Sequence, residues 1–103
     1  MSPKSLFHQL PKAIKVKIIK GKSGCFIAEL PEYDISTEAD SELGLQYNIN
    51  DLIYTFFDVP QKYRGKIWYQ PSQRDKISFS GIKTSFPFNK FFASDLFKNY
   101  RSE

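Results

Sequence analysis

Residues 25–60 read CFIAELPEYDISTEADSELGLQYNINDLIYTFFDVP. The opening CFIAEL alternates, with Phe26, Ala28 and Leu30 on one face, as a half-buried strand does. Pro31 ends it, because a prolyl nitrogen cannot donate to a ladder. YDISTEA resumes extension, with Ile35, Thr37 and Ala39 in phase. Asp40 and Ser41 then offer side-chain oxygens to the free amides of a helix start, and Glu42 suits the first turn. Leu45, Ile49, Leu52, Ile53 and Phe56 recur at helical spacing on one face. Gln46, Asn48, Asn50, Asp51 and Asp58 take the other face. The helix is expected to end near Phe57, ahead of Pro60. Gly44 weakens its first turn by roughly 1 kcal/mol relative to Ala.

Upstream, AIKVKIIK alternates as well, Ile14, Val16 and Ile18 against Lys15, Lys17 and Ile19. Period two with β-branched residues is a strand, and the following GKSG is a glycine-flanked reversal into CFIAEL. The residues before it, with Pro3 and Pro11, read as an irregular lead-in. Downstream, QKYRG is one loose turn and KIWYQ a fourth strand, stopped by Pro71. KISFSGIK could add a strand, and Ser94 could cap a short helix over DLFKNY. The expected fold class is α+β, a three- to four-stranded, mainly antiparallel sheet with one long helix packed on it, in the order β-β-β-α-β. Residues 71–103 form an irregular, aromatic-rich C-terminal extension of a single domain.

At 103 residues the chain suits one domain. Its one cysteine cannot form an internal disulfide, which fits a reducing cytoplasm. The first residues hold no apolar run long enough for a signal peptide, and no run of about 20 apolar residues offers a membrane span, so neither is expected. The net charge of +4 is segregated: residues 1–28 sum to +6, residues 29–58 to −8 and residues 59–103 to +6. Either the folded blocks interdigitate and cancel, or one acidic face is left for a partner.

The order strand, strand, strand, helix, strand over residues 13–70 resembles the HicB antitoxin family, whose amino-terminal domain is a partial ribonuclease-H-like fold. VKIIKGKSGCFIAEL looks like the family's opening hairpin, LPEYD like its Leu-Pro turn, and TEADSELGLQYNINDLIY like its helix entry. The family often has Glu where Gly44 stands, closing a capping box. Many members also carry a DNA-binding module, helix-turn-helix or ribbon-helix-helix, and residues 72–103 fit neither. The resemblance therefore implies at most a bacterial toxin–antitoxin role in neutralising a cognate small ribonuclease toxin, and leaves operator binding and autorepression open.

Catalysis in a complete ribonuclease-H-like fold needs a carboxylate cluster for divalent metal, anchored in the first strand. That strand here offers Lys15 and Lys17, so no catalytic residue, metal or cofactor is expected. His8 has no partner spaced beside it, Cys25 has no paired histidine, and no glycine-rich phosphate loop follows a strand. The candidate partner-binding residues are Glu32, Asp34, Glu38, Asp40 and Glu42, since covering a basic toxin takes an acidic surface. Turn and cap chemistry is their plainer explanation. The alternative site is nucleic-acid binding by Lys15, Lys17, Lys20, Lys22 and Trp68, basic charge interleaved with an aromatic. Its plainer reading is a solvated face whose lysines protect an edge strand. Phe86, Phe88, Phe91, Phe92, Phe97 and Tyr100 either close the open side of the sheet or form a dimer face, which keeps an orphan structural oligomer as a third function.

Overall fold

The structure is a computed structural model that describes residues 3–21, 23–72 and 85–93. The elements are α1 (Pro3–Gln9), β1 (Ala13–Lys20), β2 (Phe26–Leu30), β3 (Ile35–Ala39), α2 (Glu42–Phe56), a 3-10 turn (Gln61–Tyr63), β4 (Ile67–Pro71) and β5 (Ser85–Phe92). The strands form one sheet in the order β3-β2-β1-β5-β4, antiparallel at every pairing. The fold is α+β, as expected, with five strands in place of three or four.

The alternation read in the sequence is the alternation of burial. Ile14, Val16 and Ile18 of β1 and Ala28 and Leu30 of β2 lie inside, while Lys15 and Lys17 face out. The β1–β2 reversal closes with Gly21 N–H donating to the Cys25 carbonyl at 2.7 Å. Gly24 takes φ 87, where an L side chain is strained. Between β2 and β3, Tyr33 N–H donates to Leu30 O at 3.0 Å, with Pro31 at the turn's second position. Asp34 completes the reversal at φ 55, a left-handed conformation that Asp tolerates.

Helix α2 begins where it was expected. Ser41 is the cap, and its hydroxyl accepts from Gly44 N–H at 3.0 Å. A Cβ on Gly44 would stand 3.1 Å from that hydroxyl and 3.5 Å from Ala39 Cβ, so the close approach favours glycine. The far end is a Schellman motif: Val59 N–H donates to Tyr54 O and Asp58 N–H to Thr55 O, with Asp58 left-handed at φ 56. Leu45, Ile49 and Ile53 are fully buried, each contributing roughly 1.5–3 kcal/mol.

Four expectations are corrected. The lead-in is not irregular: Pro3 opens α1, where its missing N–H costs nothing, and Leu6 is buried. Phe56, assigned to the buried face of α2, is 47% exposed, its ring 4.9 Å from Tyr33. Asn50, assigned to the polar face, is 0% exposed. The extension is not irregular throughout, because β5 lies between β1 and β4 and sends Phe86 and Phe88 into the core beside Val16 and Ile14. Phe91 and Phe92 are half-buried, Phe92 stacked on Phe7 of α1 at 4.0 Å. KISFSGIK, DLFKNY, Phe97 and Tyr100 lie outside the described residues.

Both prolines of this half fit their ladders. Pro71 ends β4 with its nitrogen at an outward position, and Pro87 falls one residue past the β4–β5 pairing. Lys90 points inward, donating from Nζ to the carbonyls of Phe7 and, at 2.8 Å, Leu10, with the cation 4.2 Å from the Phe7 ring centroid. A lysine thus caps the carboxyl end of α1. Burial, and secondarily Lys12, lowers its pKa from the ordinary lysine value. Among the described residues no helix is long and apolar enough to cross a membrane.

Candidate partner-binding edge

A five-stranded open sheet has two edges, and this chain treats them differently. At β4, strand alternation turns the backbone groups of Ile67 and Tyr69 away from β5. Asn50 of α2 meets Tyr69 with both ends of its amide: Oδ1 accepts from Tyr69 N–H at 2.7 Å, and Nδ2 donates to Tyr69 O at 2.8 Å and to Gln46 O at 2.9 Å. One helical turn on, the buried Tyr54 hydroxyl donates to Ile67 O. Burial pushes that phenol up to about 12, with Asp51 adding to the rise and Arg64 opposing it. Tyr69 is pushed up further, chiefly by burial, and its hydroxyl donates to Pro11 O at 2.6 Å. With Pro71 supplying no N–H, most outward positions of the β4 edge cannot take a further strand.

Among the described residues, the β3 edge stays open along most of its length. Asn48 of α2 donates to Glu38 O at 2.8 Å, so the backbone of Glu38 faces away from β2. The two-residue period turns Ser36 the same way, and Ser36 pairs across β2 with Glu29. The outward groups are the N–H and C=O of Ser36 and the N–H of Glu38. Both side chains are exposed. At the turn end, Glu29, Leu30, Pro31, Asp34, Ile35 and Ser36 line a shallow pocket of about 270 Å³.

Four of the five acids singled out in the sequence follow this edge, while the Glu32 carboxylate turns back toward β1. Glu32 and Asp34 stand in the turn before β3, Glu38 on its outer face, and Asp40 and Glu42 past its far end, all exposed. Six residues of extended chain separate Asp34 from Asp40 by about 20 Å. The acids therefore form a line, not a cluster. Among the described residues no group of three or more His, Cys, Asp or Glu could hold a metal ion. Glu32 Oε1 lies 3.5 Å from Lys15 N, where Pro31 has ended β2. Tyr33 is raised from the ordinary tyrosine value by burial and then by Glu32.

The basic set is dispersed. Lys15 and Lys17 share the outer face of β1, and Lys17 sits directly opposite Glu29. Lys20 ends the strand on the opposite pleat, and Lys22 lies outside the described residues. Trp68 pairs with Phe91, while Lys15 pairs with Pro87. Two strands and four registers put Trp68 about 16 Å from Lys15. Its ring instead meets Tyr47 of α2 edge-on at 5.3 Å. Asn50 and Ser36 were not singled out from the sequence as site residues. Glu29 belongs to the acidic segment read there as one negative face; Ser36 acts through its backbone and carries no side-chain signal. Compared with models of known protein families, with curated proteins and with solved structures, the chain has no match.

Proposed function

We propose that this chain is a non-catalytic protein-binding module that docks a basic partner along β3. The observation that carries the reading is the line of exposed carboxylates at Asp34, Glu38, Asp40 and Glu42 beside the open edge of the sheet, with Glu32 in the adjoining turn. Complementary charge of this kind steers encounter and fixes register. The HicB-like order of residues 13–70 supplies the class of partner, a small ribonuclease toxin whose basic surface would be occluded. Nucleic-acid binding by Lys15, Lys17, Lys20, Lys22 and Trp68 is less favoured, because Trp68 stands apart from the lysines and Lys17 faces an acid.

The test is capture of the tagged chain from its native cell, with identification of what is retained. The expected catch is a small basic ribonuclease that purified wild-type chain inhibits. A Glu32→Lys/Asp34→Asn/Glu38→Lys variant of unchanged circular dichroism should fail to inhibit it. Equal inhibition by that variant refutes the acidic docking line. Retention on single-stranded RNA that disappears on Lys15→Glu/Lys17→Glu would favour the nucleic-acid reading instead.

A further inference from the structure

We propose that the partner contributes an extended, Lys- or Arg-rich segment that adds to the sheet as a sixth strand against β3. This rests on the docking reading above and specifies its geometry. Strand addition needs outward backbone groups on an edge, and side-chain specificity then follows from alternate positions. Among the described residues β3 is the better-suited edge, since Asn50, Tyr54 and Pro71 take most of the outward positions of β4. On β3, Ser36 offers a donor and an acceptor, and Glu38 a donor.

Charge selects the occupant. A second copy pairing antiparallel about Thr37 would set Asp34 against Asp40, and about Ser36 would set Asp34 against Glu38. Like charges directly opposed destabilise a strand pair, so the edge rejects itself. A basic strand meets Glu38 on the outer face and can lodge one cation in the pocket between Glu29 and Asp34.

The probe is an alternating Lys–Val octapeptide with blocked ends, titrated into the full chain. Two comparison peptides accompany it, a Glu–Val counterpart and a Lys–Val peptide N-methylated at alternate backbone nitrogens. Amide exchange should slow at Ser36 and Glu38 on adding Lys–Val, with no change on adding Glu–Val. N-methylation should weaken binding about tenfold, because it removes backbone donors and keeps the charge. Ser36→Pro should weaken it about as much with unchanged unfolding temperature, since that N–H makes no bond to β2. If the N-methylated peptide binds equally well, strand addition is wrong while the acidic docking line survives. If Lys–Val leaves both amides unprotected, strand addition is also wrong. If Ser36 and Glu38 become protected with rising protein concentration alone, the occupant is a second copy and the proposal falls. Should Ser36→Pro and the acid variant both leave capture of the native partner unchanged, both readings fail together.

Discussion

Replacing Asn50 by leucine separates two accounts of the core by the sign of the result. Asn50 is fully buried on α2, and a count of apolar area alone makes Asn50→Leu stabilising, by about 2 kcal/mol for a buried leucine. The hydrogen bonds say otherwise. Leucine leaves Tyr69 N–H and Tyr69 C=O without partners in a site closed to water, at about 1–3 kcal/mol each. Gln46 O keeps its own helical bond and adds nothing. A loss of about 4 kcal/mol against a gain of about 2 leaves a net destabilisation of about 2 kcal/mol. For a chain of this size that lowers the unfolding midpoint by roughly 8–16 °C. Urea unfolding followed by circular dichroism measures it directly. A leucine variant as stable as the wild type, or more so, refutes the claim that Asn50 holds the β4 edge. Asn50→Asp adds a pH signature. Burial raises the folded pKa of the new carboxyl above its unfolded value of about 3.9. Its contribution is therefore fully present below that value and lost as pH rises through the folded one. The stability gap to wild type should widen steadily above about pH 4.

Lys90→Met removes two charge-assisted bonds to the carboxyl end of α1 but also relieves a partly desolvated cation. The expected cost is about 1 kcal/mol globally, with amide exchange accelerating in α1 ahead of the sheet; exchange unchanged in α1 refutes the latch. Tyr54 titrates at about 12 in the folded chain against an unfolded value near 10, so its contribution is intact below pH 10 and lost as pH climbs through 12. Urea unfolding at stepped alkaline pH should show that decline, and Tyr54→Phe should make it shallower, with Tyr69 carrying much of the remainder; an equal slope in the variant would sink the assignment.

Residues 13–71 were legible because each local signal agreed with the tertiary demand. Period-two burial, the Pro31 turn, the Ser41 cap and the apolar stripe of α2 all point to one arrangement. Asn50 was not, because a buried amide that serves an edge strand has the same letter as one facing water. Phe56 stands at the right helical angle but past the end of the strands it would cover. Strand β5 escaped because SFPFNKFF holds a proline and a lysine, both signs against a central strand. Pro87 is admissible only because β4 has already ended beside it, and Lys90 only because α1 turns its last carbonyls toward it. The acids are exposed, but their alignment along an open edge depends on strand order, which no local pattern encodes.

The position of β5 also governs how the chain must assemble. The last of the described strands in sequence and the second from the β4 edge in space, it pairs with nearby β4, Trp68 with Phe91, and with distant β1, Ile14 with Phe88. During synthesis β1 through β4 emerge first, and β1 waits with one flank unpaired until residues 85–92 arrive. Closing a loop of that length carries a large entropic toll before any contact rewards it, the signature of a slow-folding topology. The β1 flank is rich in Ile and Val, so the interval before β5 docks is when a nascent chain is most exposed to mispairing with its neighbours.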